Sequence, residues 1–232
     1  MSIIQGDGFS VNVIKSKRRK TMALKVSRTD VSIHIPATLP IAMAKIFIEQ
    51  KTSWIQQKLQ QQSQRQLPER QFTDNELFFF LGESYSLRLI QKNTTPSVAK
   101  TQQYIEFCGR LNRLSKTSIR NSLIIWYKQQ AEQFLNTRTT WFANKIGLIP
   151  KSITIKTYKA RWGSCNSHSD IQYNWKLIQA PPDIIDYVII HELCHIQHHN
   201  HSPAFWQLVK KHYPDFKSAR IWLKNNGHKL EI

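Results

Sequence analysis

His191-Glu192-Leu193-Cys194-His195 is the stretch on which the reading of this chain turns. Its two histidines stand four residues apart. On a helix of 3.6 residues per turn they leave the same face, about one turn from each other. Two imidazoles so placed can grip one Zn2+. Glu192, one position past the first, reaches a metal-bound water rather than the metal and is the expected general base. The apolar run Tyr187-Val188-Ile189-Ile190 precedes the motif. The helix is therefore expected to pack on a core and to turn its histidine face toward a cleft.

A catalytic zinc takes three protein ligands and keeps one open position. The continuation Ile196-Gln197-His198-His199-Asn200-His201 offers the third. His199 shares the ligand stripe if the helix continues, but sits roughly 6 Å further along the axis. His201 follows Asn200, where the helix is expected to end, and precedes Ser202-Pro203, a cap and first-turn signal for the next helix. A chain that turns there brings His201 back to the metal. His201 is the favoured third ligand and His199 the fallback. Cys194 lies off the stripe and reads as a small core residue, and His34, His168, His212 and His228 stand alone.

Outward from the motif, Pro181-Pro182-Asp183 opens its helix, and a last helix runs from Pro214-Asp215 to Gly227. Residues 118–145 form a long helical pattern closed by Gly147, and residues 152–158 and 171–178 read as strands. Between those strands lies Arg161-Trp162-Gly163-Ser164-Cys165, a tight turn or a cleft wall to which an extended peptide can add as a strand. Arg161 and Tyr173 are the candidates to stabilise an oxyanion.

The N-terminal part is mainly β with one helix. Phe9, Val11 and Val13 alternate, then Met22, Leu24 and Val26, then Val31, Ile33 and Ile35. Lys15-Ser16-Lys17-Arg18-Arg19-Lys20 reads as a solvated hairpin turn, with contact to an anion as the alternative. Residues 41–60 read as one amphipathic helix and residues 60–71 as its polar end and a loop. Two strands flank Gly82-Glu83, and another lies near Tyr104. The expected organisation is α+β, with residues 1–112 mainly β and residues 113–232 holding the chemistry.

With 232 residues, 41% of them hydrophobic, the chain can bury a real core and is not of the disordered class. The formal charge of +18 favours acidic partners, nucleic acid among them. Three cysteines are too few for a disulfide framework, and no apolar run is long enough to span a bilayer. With no signal-peptide pattern at the start, a cytoplasmic setting is the default expectation. The expected function is zinc-dependent hydrolysis, of peptides first, using Glu192 to activate water. The alternatives are a basic nucleic-acid-associated protein with a structural zinc and a hydrolase of some other amide.

Several further strings join the motif: Arg161-Trp162-Gly163-Ser164-Cys165, Asn174-Trp175, Pro181-Pro182, Tyr187-Val188, Asn200-His201-Ser202 and Phe205-Trp206. With them the chain resembles the YgjP-like metallopeptidase family, which is similar to the SprT-like proteases among the zincins. Weaker matches reach back to Arg18-Arg19-Lys20-Thr21, Trp54-Ile55, Leu81-Gly82 and Trp126-Tyr127. The resemblance implies a zincin-like C-terminal part, with His191, His195 and His201 as ligands of one zinc and Glu192 as acid/base. Its SprT-like relatives imply a possible DNA-associated protease. The span from His191 to His201 equals the long zinc signature of the metzincins. His198 replaces the turn glycine of that signature, so the turn is expected near Asn200.

Overall fold

The computed structural model describes residues 2–27, 30–63 and 67–232, which form two compact units, residues 1–68 and 69–232. The fold is mixed α+β.

In the first unit, strands β1 (Ser2–Gln5), β2 (Ser10–Ser16), β3 (Ala23–Val26) and β4 (Val31–Pro36) make a sheet of order β1-β2-β4-β3. The period-2 residues Val11, Val13, Val31, Ile33 and Ile35 face inward. They meet Ala44 and Ile48 of α1 (Ile41–Gln50) and Ile55 of α2 (Thr52–Ser63). Residues 15–20 do not close a hairpin, because β4 inserts between β2 and β3 and pairs parallel with β2. Nor do residues 41–60 form one helix. The Thr52 hydroxyl bonds the Ile48 carbonyl at 3.1 Å, competing for the helical acceptor where the chain breaks at Lys51. Of the polar stretch 60–71, residues 64–66 lie outside the described residues.

The second unit repeats that topology. Strands β5 (Leu77–Phe80), β6 (Glu83–Gln91), β7 (Ser97–Lys100) and β8 (Tyr104–Gly109) run in the order β5-β6-β8-β7, again with the central pair parallel. The expected boundary near residue 112 falls inside this unit. The reason is a shared core: Phe78, Phe80, Leu87 and Phe107 pack in one cluster with Leu123, Trp126 and Tyr127 of α3 (Lys116–Ile146). Tyr127 also donates its hydroxyl to the Phe79 carbonyl at 2.7 Å. Ser115 caps the start of α3 and Gly147, at φ 73°, closes its end.

A second sheet follows, β9 (Ser152–Lys156), β10 (Gly163–Cys165) and β11 (Asp170–Asn174), in the order β10-β11-β9. β11 stops at Asn174, four residues short of the expected end. The Asn174 side chain accepts from the Lys176 amide and starts a 3-10 turn over Trp175–Gln179. Three helices complete the unit: α4 (Pro182–Gln197), α5 (Pro203–His212) and α6 (Phe216–Asn226).

α4 is fixed at its start and along its length. The Leu81-Gly82 turn, at φ 50° and 83°, joins β5 to β6. Both its amides donate to the chain just before α4, Leu81 to the Ile178 carbonyl and Gly82 to that of Gln179. A Cβ at Gly82 would meet the Pro181 Cα at 2.8 Å, so the close approach requires glycine as well. One turn further, Asp186 of α4 takes two 2.6 Å bonds from the Arg138 guanidinium of α3. Arg138→Ala should leave that largely buried carboxylate unpaired and cost about 2 kcal/mol. Denaturant titration checks this, with the Arg138→Ala/Asp186→Ala pair recovering part of the loss. A single variant as stable as the parent would rule out the pinning role.

Candidate metal centre

Eleven of the sixteen residues of α4 are buried. Its histidine face meets α5 rather than open solvent. His195 stacks on Phe205, ring centroids 4.4 Å apart, and His201 stacks on Trp206 at 5.5 Å. His191 meets both aromatic rings, at 5.0 and 5.7 Å. Ser202 sets this brace by accepting the Phe205 amide at the start of α5.

The helix ends before His198, not near Asn200. His198 is extended, at φ −130° and ψ 100°, and its carbonyl turns back to the His195 ring. His195 Nδ1 lies 2.9 Å from that oxygen and donates to it, leaving Nε2 free as a ligand atom. The early turn takes His199 off the stripe and into solvent, and it carries His201 back. The ligand atoms of His191, His195 and His201 all lie within 4.8 Å of one another. Nε2 of His201 and Nε2 of His191 approach to 3.2 Å. Among the described residues no fourth His, Cys, Asp or Glu joins them.

These donors fit a divalent ion that favours imidazole nitrogen, zinc above all. Burial, with His195 and His201 alongside, pushes the His191 pKa down to about 3, and burial lowers that of His195. The His191 ring is therefore neutral, as ligation requires, across the ordinary pH range, and burial favours the neutral form of His195 as well.

Glu192, on the turn between the two histidines, packs against β10. It is 5% exposed, and burial pushes its carboxyl pKa up to about 8 against the opposing pull of Arg161. Gly163 makes the room: a Cβ there would stand 2.7 Å from both Cγ and Oε1 of Glu192. Asn174 fixes the loop that delivers Gly163 by donating to the carbonyls of Tyr158 and Arg161 at 3.1 and 3.2 Å. Arg161 itself is exposed, with its guanidinium over the Tyr158 ring. Cys165, next along β10, is half-buried, and burial raises its thiol to about 11.

Tyr173 is not at the surface of the cleft. It is fully buried, its hydroxyl receives a bond from Thr139 at 3.2 Å, and burial raises its pKa. With no exposed atom it cannot meet an oxyanion. Its parity with Ile171 on β11, both facing the core, already carried that signal. From the sequence, Gly163 read only as part of a tight turn or cleft wall, and Phe205, Trp206 and Tyr187, whose hydroxyl lies 3.5 Å from His191 Nδ1, had no part in the site chemistry.

β10 is the edge of its sheet. The Asn174 amide bonds the Trp162 carbonyl and the Asn166 amide bonds that of Asp170, so positions 162, 164 and 166 face β11. The backbone groups of Gly163 and Cys165 consequently point to the free edge, beside Glu192.

The site is thus a three-histidine centre backed by a buried carboxyl group. The chain belongs to the YgjP-like metallopeptidase family: it matches that family's metallopeptidase domain over residues 20–226. No curated protein sequence matches it. Among solved structures it is similar to the metallopeptidase zymogen of Pyrococcus abyssi abylysin, at 21% identity and a TM-score of 0.36. That likeness covers 39% of this chain and 93% of the other. No helix among the described residues is long and apolar enough to cross a membrane.

The Glu192 pKa carries a consequence for the metal-free protein. Its carboxyl holds a proton more tightly when folded than when unfolded. The stabilisation is therefore full below the ordinary value of 4.5 and is lost as pH rises through about 8. Metal-free Glu192→Gln, which keeps the shape and cannot ionise, should match the parent at pH 5 and melt higher at pH 8.5. Melting curves that stay parallel across that range would contradict a buried, proton-holding Glu192.

Proposed function

We propose that this chain is a zinc-dependent peptidase whose catalytic unit is residues 69–232, of zincin-like fold, with His191, His195 and His201 as the metal ligands. The observation that carries this is the convergence of three imidazoles within 4.8 Å, two of them on the helix that also holds the buried carboxyl of Glu192. A cluster of three donors, with none of the cysteines among them, suits a catalytic site with an open position better than a closed structural one. A zinc ion held there would supply Lewis acidity, polarising the substrate carbonyl and making water more acidic.

The remaining work falls to the chain's own groups. Glu192 accepts the proton of the attacking water and returns it to the leaving amine as the C–N bond breaks. A pKa close to neutrality suits both halves of that transfer, and the positive charge of Arg161 favours the ionised, proton-accepting form. Arg161, exposed at the cleft, also stands as the group to stabilise the charge that develops on the carbonyl oxygen. The free edge at Gly163 and Cys165 can align an extended peptide by main-chain hydrogen bonds, which supports a peptide over another amide. The rings of Phe205 and Trp206 exclude water from the far side of the ligands.

Two substitutions test this together. Glu192→Gln should keep stoichiometric zinc and lose at least about a thousandfold in kcat on a peptide library. His201→Ala should lose the zinc, whereas His199→Ala should retain it. Full turnover in Glu192→Gln, or zinc lost with His199 instead of His201, would overturn the assignment.

A further inference from the structure

Arg220 lies on α6, one element away from the ligands, and nothing in the chemistry above uses it. Its guanidinium carbon sits 4.5 Å above the centroid of Trp206, the ring that stacks on His201. Trp206 is held on its other contacts by Phe216, stacked at 5.3 Å. The cation is thus carried to the rim of the metal site on a rigid aromatic platform. Its charge is felt by His191 and by the Tyr187 hydroxyl, both on the ligand face of α4.

The cation is exposed, and among the described residues no carboxylate pairs with it. Acidic competitors are scarce nearby. α5 and α6 contain no Asp or Glu, and Lys217 lies one turn before Arg220 on the same stripe of α6. The two sides of the cleft also meet: Trp162, beside Arg161, packs against Gly227 at the end of α6. Arg161 acts on Glu192, whereas Arg220 acts on His191 and Tyr187. A guanidinium seated over an indole face still has edge donors free to receive a carboxylate through two parallel bonds.

We propose that Arg220 is a specificity residue that selects peptides carrying a carboxylate close to the bond cleaved, on the His191 side of the site. Either an acidic side chain or a free C-terminus supplies that group. The inference rests on the peptidase reading and adds the substrate class to it.

The test uses the zinc-loaded full chain and peptides of one sequence in four forms: neutral or Glu-containing, each with a free or an amidated C-terminus. Hydrolysis is followed as kcat/KM. Binding is followed separately, by anisotropy of the labelled peptides on zinc-loaded Glu192→Gln. The parent should favour the carboxylate-bearing forms by about tenfold. In Arg220→Ala the preference should collapse through a rise in KM, Arg220→Lys should restore part of it, and Arg220→Glu should reverse it toward a Lys-containing peptide. That reversal is something a merely structural brace on Trp206 would not produce, and zinc content is measured in every variant. Preference in the amidated Glu peptide assigns the side chain, and preference confined to free termini assigns the terminal carboxylate. Cleavage of all four forms at equal efficiency, or a preference unchanged in Arg220→Glu, overturns the proposal while leaving the peptidase reading intact. Selective, Arg220-dependent binding without cleavage of any form supports the anion site and sinks the peptidase reading.

Discussion

A polar helix face held inside an apolar setting is the constraint on which everything at this site depends. His191, Glu192 and His195 sit on a helix whose other residues are almost all core. Water cannot solvate them fully, so each must find another way to stay there. Burial favours the neutral rings of His191 and of His195, which stacks on Phe205, and Glu192 holds its proton in the pocket that Gly163 leaves open. Desolvation thus drives the two kinds of group in opposite directions, toward neutral imidazole and neutral carboxyl. The same burial that prepares the ligands also brings the carboxyl pKa close to neutrality.

Such a face stays in place only if the helix itself cannot move. The Leu81-Gly82 turn bonds the chain entering α4, and Arg138 grips Asp186 from α3. Past the end of the helix, the His198 carbonyl fixes the His195 tautomer, so one short turn ends α4, orients a candidate ligand and returns His201. Asn174 does the matching work for the opposite wall by holding the loop that delivers Gly163 to Glu192. Each of these is a hydrogen bond or a two-point ion pair of fixed geometry, which tolerates little displacement. They link the β5–β6 hairpin, α3 and the second sheet to the site.

Much of this is legible in the sequence, for identifiable reasons. Helical spacing puts His191 and His195 on one face whatever surrounds them, and the Ser202-Pro203 cap marks the next helix. Period-2 alternation finds β2, β3 and β4. It misses their pairing, because the insertion of β4 between β2 and β3 is a long-range choice that local pattern does not encode. Element ends are read poorly where a side chain competes with the backbone, as Thr52 does at the α1–α2 break and Asn174 at the end of β11. The turn at His198 is hidden for the same reason, since it depends on the His195 ring capturing a carbonyl. Tyr173 is a different case: its alternation with Gln172 and parity with Ile171 point to the core, and chemical type outweighed that pattern in the sequence reading.

The central claim, that three histidines and no other side chain hold the metal, is tested most directly by zinc-edge X-ray absorption on the zinc-loaded chain. The account predicts three imidazole nitrogens at about 2.0 Å, with oxygen completing the shell and no sulfur scatterer. A cysteine sulfur at about 2.3 Å, or a fourth imidazole in the shell, would contradict it and make the centre a closed structural site.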